Sequence, residues 1–117
     1  MSVAPFADLR ERLKASRAEL AAAFLDKPAA THYLARHAAL VDDVLSELCR
    51  RVALPADFCL AAVGGYGRGE LFPGSDVDVL LLLPNDPDPG QQGTLETWVQ
   101  ACWDVGLEIG HSVRTIE

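Results

Sequence analysis

The sequence predicts an α/β domain: two helices, then a small sheet whose strands alternate with helical pieces. Three observations carry this. Apolar residues recur at helical spacing through the first half. After about residue 54, short apolar runs stopped by glycine or proline take over. The 117 residues, 50% of them hydrophobic, suit one packed core rather than two.

From Pro5 to about Asp26, the residues Phe6, Leu9, Leu13, Leu20, Ala23 and Phe24 recur mostly at three- and four-residue steps. That spacing predicts an amphipathic helix with Pro5 in its first turn. "DKPAAT" ends it, because proline disfavours helix in the residue before it. A second helix is expected from about Pro28 to Val52, burying Tyr33, Leu34, Leu40, Val41, Val44, Leu45 and Leu48. His32 and His37 read most simply as its surface residues. Beyond "ALPAD", "FCLAAVG" reads as a buried strand, "YGRGELF" as a short helix or turn, and "DVDVLLLLP" as a second buried strand. "NDPDPGQQG" reads as a surface loop. "TLETWVQACWDVG" is expected as a helix capped by Thr94, with Trp98 and Trp103 in the core. "LEIGHSVRTIE" reads as a third strand, and a domain stopping on a strand is expected to be part of a longer protein.

The net charge of −7 argues against a nucleic-acid partner, which would need a basic stripe. No apolar run reaches the roughly 18 residues of a membrane span. The N-terminus is charged where a signal peptide is apolar. The expectation is a cytoplasmic protein with no membrane partner. Cys49, Cys59 and Cys102 are widely spaced among apolar residues and read as reduced core thiols. His32 and His37 stand five apart, off a shared helical face, so histidine offers no metal site.

The chemistry concentrates in "AAVGGYGRGELFPGSDVDVLLLLP", residues 61–84, which holds five of the nine glycines. On an extended strand Asp76 and Asp78 share a face, and two carboxylates so placed repel each other. A divalent cation removes the conflict, and Mg²⁺ favours one or two carboxylates together with substrate phosphates. Gly64 and Gly65, where the first strand ends, let a phosphate approach backbone N–H groups, and Arg68 adds a forked cation. The group spans fifteen residues and suits nucleotidyl or phosphoryl transfer. Plainer readings stand beside it: an ordinary strand-to-helix turn for the glycines and a surface strand edge for the aspartates. Gly67, Gly69, Pro73 and Gly74 read as turn-shaping, Glu70 as a cap or a partner of Arg68, and Tyr66 as packing or a nucleobase neighbour. Ser75 either assists the phosphates or bonds its own turn. His111 reads as structural or as a base, and Arg114 as a phosphate contact or an ion-pair partner.

The run Gly64-Gly65, ten residues, Asp76-Val77-Asp78 resembles the nucleotidyltransferase superfamily that includes DNA polymerase beta. "GGYGRGELFPGSDVDVLLL" with "WDVGLEIGHSVRT" narrows the likeness to the N-terminal nucleotidyltransferase region of the bacterial PII uridylyltransferase/uridylyl-removing enzyme family. The resemblance covers about residues 60–116. It implies a polymerase beta-type fold with a small mixed sheet, an N-terminal helical region at 1–53 and a nucleotidyltransferase core at 54–117, incomplete at its C-terminus. It implies transfer of UMP from UTP to a tyrosine of the PII nitrogen-regulatory protein, with Mg²⁺ and release of pyrophosphate. Asp76 and Asp78 would hold metal, Gly64 and Gly65 would accept the triphosphate, Arg68 and Ser75 would assist, and Glu108 would be the third, catalytic carboxylate. Glutamine sensing and uridylyl removal would belong to domains absent from this sequence, which has no His-Asp dipeptide. Two alternatives stay open: a transferase using another nucleotide or acceptor, and a regulatory module that binds nucleotide without turnover.

Overall fold

The computed structural model describes residues 6–72 and 76–115. Helix α1 spans Ala7–Asp26 and helix α2 spans Ala30–Val52. The link between them is three residues long, which forces an antiparallel hairpin. Arg51 near the end of α2 accordingly reaches Asp8 near the start of α1, with its Nη1 and Nη2 at 2.8 and 2.6 Å from the two carboxylate oxygens. That forked pair holds the Asp8 carboxyl down at about 2, although both groups are solvated and the pair adds little stability. Pro5, the expected start of α1, lies outside the described residues.

Strand β1 is Cys59–Ala62, the single-turn helix α3 is Gly64–Gly67, strand β2 is Val77–Leu83, helix α4 is Pro89–Asp104 and strand β3 is Ile109–Thr115. The sheet is mixed, in the order β1-β2-β3, with β1 antiparallel and β3 parallel to β2. The parallel β2–β3 pair needs a crossover, and α4 supplies it. Buried Leu95, Trp98, Ala101 and Cys102 of α4 join Val77, Val79, Leu81 and Leu83 of β2 in one core. Leu9 and Leu13 of α1 and Val41, Val44, Leu45 and Leu48 of α2 belong to the same core.

Several expectations are corrected. Helix α4 begins at Pro89, so half of the supposed loop is helical. The cap is Asp88, not Thr94: Asp88 Oδ1 accepts from Gln91 N at 2.7 Å and Gln91 Oε1 accepts from Asp88 N at 3.1 Å. Proline in the first turn costs nothing there, because its missing N–H would have had no partner. Thr94 lies inside the helix, and its hydroxyl donates to Gly90 O. Trp103 is 52% exposed while Trp98 is fully buried, since the two stand five positions apart on α4. Cys59 is exposed, Cys49 half-buried and Cys102 buried, so only part of the thiol set is core. Burial in apolar surroundings pushes the Cys49 and Cys102 thiols up, which keeps them protonated.

The correction with most consequence is His37. It is 2% exposed, not a surface residue. Its Nδ1 lies 3.1 Å from Leu71 O, and its Nε2 accepts from Arg17 Nε at 3.0 Å. Those roles require the neutral ring with the proton on Nδ1. Burial, more than the neighbouring Arg17 charge, holds its pKa below the ordinary histidine value, against the opposing bond to Leu71. Arg17 Nη1 also donates to Gly106 O at 3.2 Å, so α1, α2, the chain leaving the glycine turn and the entry to β3 meet at one polar junction.

Strand β2 is not buried on both sides. Val77, Val79, Leu81 and Leu83 are buried, whereas Asp78 is exposed and Leu80 and Leu82 are half-buried. Register places Ala61 and Ser112 beside Leu80, and Cys59 and Arg114 beside Leu82. This second face is therefore far more open than the first, and the site stands at its end.

Candidate nucleotidyl-transfer site

Strand β1 ends because the chain must turn. Val63 still pairs with β2, its N–H donating to Asp78 O at 3.0 Å. Gly64 then takes φ +62°, a left-handed conformation that suits glycine. The following single turn is closed by Gly67 N to Val63 O and by Arg68 N to Gly64 O and Gly65 O. Glu70 N returns to Gly65 O at 2.9 Å. Gly67 is required by space rather than by φ, since a Cβ there would stand 2.7 Å from Ala62 O.

The turn is held from beneath by Tyr66. Its ring is buried and its hydroxyl donates to the carboxylate of Asp42 on α2. It therefore packs against the core and anchors the turn to α2. Burial first, and then the Asp42 carboxylate, push the Tyr66 hydroxyl well above the ordinary tyrosine value. Arg68 is exposed and folds back over Gly65, where an added Cβ would stand 3.8 Å from Arg68 Nη2. Its Nε lies 3.8 Å from Glu70 Oε2, a loose solvated pair that leaves the guanidinium available.

The structure brings Gly64 and Asp78 together. A Cβ on Gly64 would stand 3.1 Å from Asp78 Oδ2. Asp76 and Asp78 are both exposed and flank buried Val77, as alternation along an extended chain requires. Ser75 lies outside the described residues. Glu108 stands one step before the registered pair Val77–Ile109, and its carbonyl accepts from Val77 N at 2.8 Å. Its carboxylate is exposed, and it offsets a small part of the burial that lowers the Arg17 pKa. Among the described residues no three His, Cys, Asp or Glu side chains are gathered as metal ligands.

His111 lies elsewhere. Its register partner is buried Val79, which puts it on the opposite face from Asp78, where it borders a groove with Leu95 and Val99 of α4. Arg114 shares the face of Asp78 but pairs with Leu82, four positions along the strand. Two contributors had no role in the sequence reading. Asp42, twenty-four residues from Tyr66, carried no local signal. Gly110 did carry one, as a lone glycine inside a strand pattern.

A cation fits here in two respects. The aspartates present like charges on one open face, and the Asp78 carboxylate lies in a cradle that side chains at Gly64 and Gly110 would fill. The turn, the aspartates and strands β1 and β2 fall inside residues 41–109, which match the nucleotidyltransferase domain family. The chain belongs to that family. It is similar to the bifunctional uridylyltransferase/uridylyl-removing enzyme of Thiobacillus denitrificans, 70% identical over all 117 residues, which is 14% of that protein. The enzymes of the same description from Aromatoleum aromaticum and Bordetella parapertussis are 49% and 50% identical over 97% and 93% of the chain, and 13% of each relative is covered. The chain thus spans about a seventh of the length of these relatives. No solved structure matches it. No described helix is long and apolar enough to cross a membrane.

Proposed function

We propose that this nucleotidyltransferase chain supplies the metal- and triphosphate-binding half of a uridylyl-transfer site working in the cytoplasm. Asp76 and Asp78 hold Mg²⁺. Gly64 and Gly65 receive the triphosphate of UTP on backbone N–H groups, with Arg68 and Ser75 adding side-chain contacts. The bound cation supplies neutralisation of the charge that builds on the phosphates during transfer. The acceptor is a tyrosine of the PII nitrogen-regulatory protein. Its oxygen bonds the α-phosphorus as the bond to the bridging oxygen breaks, and pyrophosphate leaves. The tyrosine proton passes to a carboxylate, and Glu108, exposed immediately before β3, is the residue we assign to that role.

The observation that supports this reading is the juxtaposition of the Asp78 carboxylate and Gly64, which sets the glycine turn beside that aspartate. The uridylyltransferase description of the relatives supports UTP as the donor. Calorimetry with UTP, ATP and CTP, each with and without Mg²⁺, tests it. Mg²⁺-dependent binding of UTP in preference to the others is expected, with about a hundredfold loss or more in Asp76→Asn and Asp78→Asn. Equal binding with and without Mg²⁺, or unaltered binding in both variants, would overturn it. Tighter ATP or CTP binding would replace the donor while keeping the site.

A further inference from the structure

Gly110 is the second residue of β3 and paired within the sheet, where glycine normally weakens it. Three common reasons for a strand glycine can be tested against the backbone. A left-handed φ is one, but Gly110 is not among the positive-φ residues Ala53, Gly64, Gly69 and Gly106. A bulge is another, but the β2–β3 register runs without interruption from Val77–Ile109 to Leu83–Thr115. Close approach of a neighbour is the third, and it holds: a Cβ on Gly110 would stand 2.9 Å from Asp78 Oδ1. Gly110 is also the direct register partner of Asp78, and the other residues of β3 all carry side chains.

From this we infer that Gly110 is a positioning residue: the space left by its missing side chain sets where the Asp78 carboxylate lies. The inference rests on the reading of Asp78 as a metal-binding aspartate. One carboxylate oxygen lies against Gly64 and the other against Gly110, so the group is bracketed by two residues without Cβ. The two brackets differ in kind. Gly64 is needed by its φ of +62° whatever its neighbours. Gly110 has a backbone any residue can adopt, so its only demand is room. The atom that an added methyl would displace is the end of a flexible side chain, and the carboxylate can swing away while the strands stay paired.

Gly110→Ala is therefore a clean probe. Titration of the chain with Mn²⁺ in the presence of UTP, read by electron paramagnetic resonance, is expected to show affinity about tenfold weaker than wild type. The thermal midpoint is expected to stay in place. In an Asp78→Asn background the same change should weaken Mn²⁺ binding no further. Wild-type affinity in Gly110→Ala would overturn the inference while leaving the aspartate reading intact, provided Asp78→Asn has lost binding. A wild-type chain that binds no Mn²⁺ with UTP would overturn that reading and the inference with it. Should Gly110→Ala unfold, the double variant Asp78→Ala/Gly110→Ala decides. A folded double variant shows that the clash is with Asp78 alone, and an unfolded one shows that the glycine serves the strand, which sinks the inference.

Discussion

The two faces of β2 are built from one seven-residue run and have opposite duties. Val77, Val79, Leu81 and Leu83 point into a core shared with α1, α2 and α4. Asp78, Leu80 and Leu82 point to the open side, where the neighbouring strands contribute small or polar residues such as Ala61, Gly110 and Ser112. Apolar burial on the first face fixes the strand, and the fixed strand then aims a carboxylate that would otherwise be mobile. The difference separates two kinds of damage: changes on the closed face should cost stability, and changes on the open face should cost binding.

The largest effect should come from Trp98→Ala on the closed side. Trp98 is fully buried, and truncation leaves a cavity worth about 3 to 5 kcal/mol of stability in a denaturant titration. A small loss there would mean the closed face is not the structural one.

Tyr66→Phe probes the border between the faces, since the ring is buried while the hydroxyl anchors the glycine turn to Asp42. Loss of a bond to a charged acceptor is expected to cost about 1.5 to 2 kcal/mol and to weaken nucleotide binding as well. Equal binding in wild type and variant would show that the turn holds itself.

His37 extends the closed side towards the site through Leu71 O. Its folded pKa is depressed, so the unfolded chain takes up its proton first as pH falls. The stability it contributes is present above about pH 6.5, its ordinary value, and is lost as pH drops through the lower folded value. Thermal midpoints between pH 7 and 5 should fall more steeply in wild type than in His37→Gln. Parallel curves would remove His37 as the cause.

Asp88→Ala touches neither face and should have the smallest effect, about 1 kcal/mol from the lost cap of α4, with nucleotide binding unchanged. A change in binding would mean that the crossover helix, and not only the sheet, positions the aspartates.

Much was legible because the signals are local. Helical spacing in α1 and α2, glycine stops around β1 and the alternation at Asp76-Val77-Asp78 each arise within a few residues. The start of α4 was also written locally, in Asp88-Pro89 and Gln91, but a cluster of proline and glycine resembles a loop more than a capping box. His37 was misread because a histidine on a charged helix gives no sign of the carbonyl and guanidinium that will enclose it.

The sequence by itself determined the order of elements, the glycine turn and the paired aspartates, because each depends on backbone preferences and on neighbours along the chain. Only the tertiary structure decided that the turn and the strand meet at Asp78, that Tyr66 reaches Asp42, and that Gly110 lies opposite the carboxylate. Those contacts join residues far apart in the chain, and they exist only once burial of the closed face has set the register of the three strands.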